Sequence, residues 1–354
     1  MNEIELFEQA VDGLLRDLTL HRDPLDPAPF DREAWVALER GGYTAVGLPE
    51  DLDGSGGSVL HCTALARLVG RHAIAAPVVE SSFTASWLLS RGGLRRLAGV
   101  VTVGGGNHHD ALSVVRAGDA PWMLDGTAHE VPWGRDADWI VLAVPDGDGC
   151  RVVVVGAGAG HEETAVNLAG EPRTTLRFDR TPLDAGQVSA RVTVSIEEVR
   201  ERIALSIAAR AAGAAGMAVH RTVEYARTRE QFGRPIAAFQ AVQGLLVRCA
   251  SEAALLDTAV RAAALALEDG APERSLAVAA AKSLADDCGS VVAAAAHQVH
   301  GAAGVTREQG LGSLTQRLWS WRRELGTSRV WNAEIASMAS RAAQEGMLWA
   351  ALAG

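Results

Sequence analysis

From Glu197 to Gln243 the chain reads EEVRERIALSIAARAAGAAGMAVHRTVEYARTREQFGRPIAAFQAVQ, and this stretch constrains the fold more than any other. Just before it, Ser195 and Glu198 have the spacing of a capping box, in which two side chains satisfy two orphan amides at a helix start. Ile203, Ile207, Ala211, Ala214 or Ala215, and Ala218 then recur at steps of three and four. That period predicts a long helix over 196–228 with one buried face. Ala211, Gly213, Ala214, Ala215 and Gly216 leave room for a neighbouring helix to approach closely. Gly233 suits a helix C-cap and Pro235 the opening of a second helix, over 236–268. The expected unit is a helical hairpin within a bundle.

The turn between the two helices carries chemistry. Arg229 and Arg234 flank Phe232, and Gln240 sits a turn into the second helix. One reading is a plain polar turn. The other is a diphosphate clamp, since guanidinium is a planar fork matched to phosphate oxygens. No P-loop or dinucleotide-type glycine motif accompanies it.

Composition narrows the classes. A chain of 354 residues has room for two or three domains, each with its own core. Hydrophobic residues make up 48% but aromatics only 5%, which favours helix over an all-β fold. A formal net charge of -10 argues against nucleic acid or an anionic membrane as partner, so an anionic ligand would need a local basic pocket. Cys62, Cys150, Cys249 and Cys288 are scattered without disulfide or zinc spacing and read as thiols of a cytoplasmic protein. The acidic, amphipathic N-terminus is unlike a signal peptide, and no apolar run suits a membrane span.

Taken in order, residues 1–20 form an amphipathic helix with Ile4, Phe7, Val11, Leu14, Leu15 and Leu18 on one side. The prolines of DPLDPAP make a linker. A helix and a GLPE…GSGG turn follow, then helices near 58–75 and 78–91. Between about 98 and 190, short β-rich runs alternate with Gly, Pro and Asp clusters, which predicts a small β domain. From about 195 onward at least four long helical segments are expected. His108 and His109 are adjacent, so on extended chain they point to opposite faces and do not converge on an ion. His297 and His300 share a helix face but sit in a turn context, and no metal is expected.

The segment YARTREQFGRPIAAFQAVQ strongly resembles the signature of the acyl-CoA dehydrogenase family, flavoproteins that introduce an α,β double bond into acyl-CoA thioesters. The GLPE…GSGG turn and QVHGAAGVTRE (298–308) resemble further motifs of that family. The resemblance implies an α+β, mainly α fold: an all-α N-terminal domain (1–97), a middle β domain (98–192) and a C-terminal four-helix bundle (193–354). It implies FAD, an acyl-CoA-type substrate, and an oligomer with flavin sites completed across subunits. The cofactor contacts it implies are Arg229, Phe232, Gln240, Gln298, Gly301 and Thr327.

Several positions depart from the family pattern. The flavin-holding loop is Val103-Gly-Gly-Gly-Asn-His-His-Asp, without the usual Glu-Pro. Where the family stacks a tryptophan on the flavin ring, this chain has Glu130. Ala302 replaces the second glycine of the QVHGAAG turn, which matters only if that residue has positive φ. Leu325, 27 residues after Gln298, stands at the usual place of the catalytic glutamate, and Ile203 at the alternative one. Glu324 would point about 100° away if helical, and Glu201 lies on nearly the opposite face from Ile203. Three functions fit these facts: a base-lacking subunit working with a second family chain as a homo- or hetero-oligomer; a self-sufficient flavin oxidoreductase with a displaced base such as Glu324; or a non-redox binding protein or lyase on the same fold.

Overall fold

The computed structural model describes residues 2–20, 30–116, 118, 120–306 and 310–344. It is mainly helical with two four-stranded sheets and a two-stranded hairpin, the expected fold class. Nine α-helices are present among the described residues: α1 (Glu3–Leu20), α2 (Arg32–Arg40), α3 (Val59–Arg71), α4 (Ser86–Gly92), α5 (Ile196–Thr228), α6 (Gln240–Glu268), α7 (Arg274–His300), α8 (Leu311–Trp321) and α9 (Ser328–Gln344). They assort into two compact units interleaved along the chain. The first comprises residues 1–27, 63–74 and 207–354, and the second 28–62 and 75–206.

The first unit is a bundle whose central member is α7. It pairs along its length with α6 and also packs on α8 and α9. Val278, Ala279, Ala281, Ala285, Val292, Ala293 and Ala296 of α7 are buried. Small side chains let these helices approach, and the limit is reached where α3 meets α5. A Cβ on Gly213 would lie 1.8 Å from the carbonyl oxygen of Arg67, and one on Gly70 2.0 Å from that of Arg210. Only glycine fits at either place. Arg67 also links α1 and α6, reaching Glu8 at 2.9 Å and Asp257 at 2.7 Å. The buried side chain of His72 donates through Nε2–H to the Asp12 carboxylate of α1 at 2.8 Å.

The second unit holds the two four-stranded sheets. One sheet runs β1 (Val101–Gly104), β4 (Trp139–Asp146), β5 (Gly149–Gly156), β8 (Val188–Val192), parallel at β1/β4 and antiparallel elsewhere. The other is antiparallel in the order β2 (Ala111–Val115), β3 (Trp122–Pro132), β7 (Pro172–Leu183), β6 (His161–Val166). Val101, Val103, Val141, Ala143, Val152 and Val154 pack with Trp87, Leu88 and Leu89 of α4 and with Val199 and Ile203 of α5. Before α4, residues Glu80–Ala85 form a π-helical turn with Glu80, Ser81, Ser82 and Thr84 all buried.

The capping box at 195–198 forms as predicted: Glu198 N–H donates to Ser195 Oγ (3.1 Å) and Ser195 N–H to Glu198 Oε2 (3.0 Å). By length and mean hydropathy α5 would suit a membrane span, yet 67% of its most apolar window is buried, as befits a core helix. The second helix begins later than 236. Ile236–Ala238 form a 3-10 turn and Phe239 is extended, so α6 starts at Gln240. All four cysteines are buried and none is in a disulfide.

Candidate functional site

After α5 ends at Thr228 the chain makes a tight hairpin, Gln231 pairing with Arg234 and Glu230 with Pro235. Phe232 (φ +53) and Gly233 (φ +76) form its tip. Gly233 thus serves the hairpin and not a helix C-cap. Both roles need a left-handed residue, so the residue type alone did not distinguish them. The Phe232 ring is 90% exposed and meets Phe239 edge-on at 6.1 Å, while the Arg234 guanidinium lies over Phe239 at 4.3 Å.

Arg229 lines an open groove of about 670 Å³ with His220, Arg221, Tyr225, Thr228 and His300 among its neighbours. The rings of Tyr225 and His300 stack at 4.4 Å, and Tyr225 Oη donates to the His300 carbonyl at 3.4 Å. Burial lowers the His300 pKa, against a raising contribution from its bond to the Ala296 carbonyl. Burial also lowers that of Arg221. With His300 kept neutral near pH 7, the groove's positive charge comes from Arg229 and Arg221, opposed by Glu224. His297 is engaged separately, stacked on Trp319 at 5.6 Å and bonded to Thr315 Oγ1 at 2.9 Å; burial and then His300 lower its pKa.

Of the six residues with expected cofactor contacts, the structure puts Arg229 in this groove, and Gly301 directly follows its His300. Gly301 has φ +58 and ψ -137, open to glycine alone. Ala302 is not at positive φ, so the missing second glycine has no conformational cost. Gln298, Phe232 and Gln240 are exposed but are not among the groove's lining residues. Thr327 caps α9, its carbonyl accepting from Val330 and Trp331.

The segment at the expected base position is a turn, and Glu324 is therefore not held on a helix 100° from Leu325. Leu325 has φ +55 and Gly326 φ +99. Glu324 is half-buried in this turn. Ile203 is packed under the loop after β1: a Cβ on Gly106 would lie 2.6 Å from its Cδ1. Glu201 is 4% exposed, inside the second unit.

The second unit does not fit a flavin ring. Its loop spends its donors on itself: Asp110 accepts from the amides of Asn107 (2.8 Å) and His129 (2.6 Å). Burial raises the Asp110 pKa and these amides work against the rise. Glu130, at φ +54, accepts from Asn107 Nδ2 at 3.4 Å and is exposed. A carboxylate offers no aromatic face. The neighbouring aromatic in sequence, Trp133, is 1% exposed and packs edge-on to Phe30 at 5.8 Å. It is unavailable for stacking.

Sequence reasoning passed over Lys282. It is the only lysine in the chain, the other 32 of the 33 basic residues being arginine, and it is completely buried. Its singularity was the available signal.

Residues 199–347 match the family model described as the acyl-CoA dehydrogenase C-terminal domain. Acyl-CoA dehydrogenase FadE27 of Mycobacterium tuberculosis is 31% identical over 301 residues, 78% of this chain and 79% of that protein. A Mycobacterium bovis protein named "Probable acyl-CoA dehydrogenase fadE25" is 29% identical over 330 residues, 83% of this chain and 84% of its own length. The fold matches a chain of the ChsE4-ChsE5 complex from Mycobacterium tuberculosis with a TM-score of 0.84 at 24% identity, covering 96% of this chain and 98% of that one. The chain belongs to the acyl-CoA dehydrogenase family.

Proposed function

We propose that this chain is the base-lacking subunit of a heteromeric, FAD-linked acyl-CoA dehydrogenase, and that it lends phosphate-binding residues to a flavin held mainly by a partner chain. The observation that carries this is the split between its two candidate regions. The groove at Arg229 keeps cationic groups suited to a diphosphate, whereas the ring-stacking and proton-accepting positions are occupied by Glu130, Leu325 and Ile203. General-base removal of an α-proton contributes roughly 10²–10⁴-fold to such a rate, and neither a leucine nor an isoleucine can accept a proton. A structurally similar chain comes from a complex of two differently named proteins, ChsE4 and ChsE5, which supports a two-chain assembly.

Within the groove, the charge has a clear source. Both flanking helices, α5 and α7, present their C-terminal ends here, where free carbonyls disfavour an anion. Attraction must come from guanidinium groups, whose charge-assisted bonds to phosphate are among the strong ones. FAD would supply the hydride-accepting chemistry when bound. This chain's own part is to hold its diphosphate through Arg229 and to shape the surrounding surface with Phe232, Gln240, Gln298, Gly301 and Thr327.

The deciding experiment purifies the chain alone and with a candidate family partner. Alone it should be colourless; the complex should carry flavin and oxidise an acyl-CoA. A stoichiometric yellow complex of this chain by itself would reject the reading. A second reading has one observation in its favour: because the 322–327 segment is a turn, Glu324 is not aimed away by helical geometry. If an active homomer exists, Glu324→Gln should abolish its activity while flavin stays bound.

A further inference from the structure

The turn between α8 and α9 is built over two charged residues of α7, four apart and both buried. Lys282 Nζ donates to the carbonyl of Arg322 (3.3 Å) and to that of Gly326 (3.1 Å). Asp286 accepts from the Ser328 amide at 2.8 Å and pairs with Arg322 Nε at 2.6 Å. Between them, Ser283 Oγ donates to Asn332 Oδ1 of α9 at 2.8 Å.

The polarity of this arrangement is matched to the helices it serves. Arg322 is the C-cap of α8, and the last turn of α8 itself, up to Trp321, holds no basic residue. Ser328 opens α9, where amides are unsatisfied, and α9 has no acidic residue in its first turn. A cation belongs at the first end and an anion at the second. The C-terminal end of α8 carries Arg322 and Arg323 just past the helix, and α7 adds a buried ammonium there and the carboxylate at α9. The choice of residue fits as well. An ammonium is a compact point charge with three tetrahedral donors, able to gather converging carbonyls in a closed space where a planar guanidinium would not fit. In a chain that uses arginine at every other basic position, this one is lysine.

We propose that Lys282 and Asp286 are a positioning dyad: together they cap α8 and α9 from below and fix the Arg322–Ser328 turn, and thereby the presentation of Thr327 to ligand. The turn's left-handed residues, Leu325 and Gly326, are held in place by the dyad and not by the side chain at position 325. The turn therefore keeps its form although the family's glutamate is absent. The ligand half of this statement rests on the function proposed above; the structural half does not.

Two variants test it in the isolated chain. Lys282→Met and Asp286→Asn should each speed amide hydrogen exchange across 323–328 by about tenfold or more, the equivalent of one charge-assisted hydrogen bond. Exchange in α6 should not change. Because the chain has a single lysine, amine acylation followed by peptide mass spectrometry gives a second readout. Lys282 should resist the reagent in the native chain and become reactive in Asp286→Asn. Unchanged exchange in the turn, or a loss of protection spread evenly over the first unit, would overturn the dyad. In the flavin-carrying complex both variants should weaken flavin retention. If exchange responds and Arg229→Ala releases flavin while the dyad variants do not, the positioning role is wrong and the proposed function stands. If Arg229→Ala also leaves flavin bound, the proposed function has failed, and the dyad is judged on exchange alone.

Discussion

The groove at Arg229 and the loop at Asp110 are both polar, yet they use their hydrogen-bonding groups in opposite ways. The loop is closed: its amides go to Asp110, and Asn107 goes to Glu130. The groove is open: Arg229 is exposed, and the aromatic beside it, Phe232, stands in solvent. A region that has satisfied its own donors has little left for a ligand. One that leaves charged and aromatic groups uncovered still has binding free energy to release. The comparison sets an uncovered cationic groove in the first unit against a self-satisfied loop in the second.

Four measurements break or sharpen this contrast. The largest effect is expected from Gly213→Ala, which forces a methyl against the Arg67 carbonyl and should destabilise the first unit by about 3 kcal/mol or more. Thermal unfolding reads it, and near-normal stability would mean that the α3–α5 contact is looser than described. Next, Arg229→Ala should weaken flavin binding by the heteromer by about 10- to 100-fold, the worth of a hydrogen bond to a charged group. Equilibrium dialysis of flavin checks it, with circular dichroism showing an unchanged fold. Equal binding would remove the groove's distinction from the loop.

A smaller effect should separate the units by pH. His72, His297 and His300, all in the first unit, have pKa values below the ordinary 6.5, each chiefly through burial. For His72 the neighbouring Asp12 favours the charged form but does not outweigh burial. The unfolded chain thus binds protons first, so the stability these groups contribute is full above 6.5 and falls as pH drops through their folded values. Asp110, in the second unit, has a pKa raised above 3.8 by burial. Its folded form holds the proton longer, so its contribution is greatest at low pH and declines as pH rises from 3.8 to the folded value. Hydrogen exchange corrected for intrinsic rate should show α7 losing protection between about pH 7 and about pH 5, with β3 losing less. Equal losses would contradict the assignment. The smallest effect is a null one: Leu325→Glu in the isolated chain should yield no measurable acyl-CoA oxidation, because Glu130 still stands where a ring-stacking residue is needed. Activity from that single change would show the second unit competent after all.

How much of this was legible depended on the range of the interaction. The limits of α5 followed from a local cap and a sustained period, and both are written within a few residues. The hairpin at Phe232 was not legible, because a left-handed glycine marks a helix end and a hairpin tip equally well. The π-turn at Glu80–Ala85 gave no signal, since its buried polar residues look like an ordinary polar stretch. Nothing local marks Lys282 for burial; its partners are the carbonyls of Arg322 and Gly326, some 40 residues away in sequence. Residue types at Glu130 and Leu325 mark two departures from the family pattern that the resemblance implies. They did not show that Leu325 sits on a turn of positive φ.

The Phe232 hairpin has a consequence for association. Its backbone is already fixed by a two-residue tip and two paired strands, and the ring has only two torsions to lose. A surface that covers this ring therefore meets little ordering entropy, and most of the transfer free energy of a buried phenylalanine, about 1.5–3 kcal/mol, remains available to the complex.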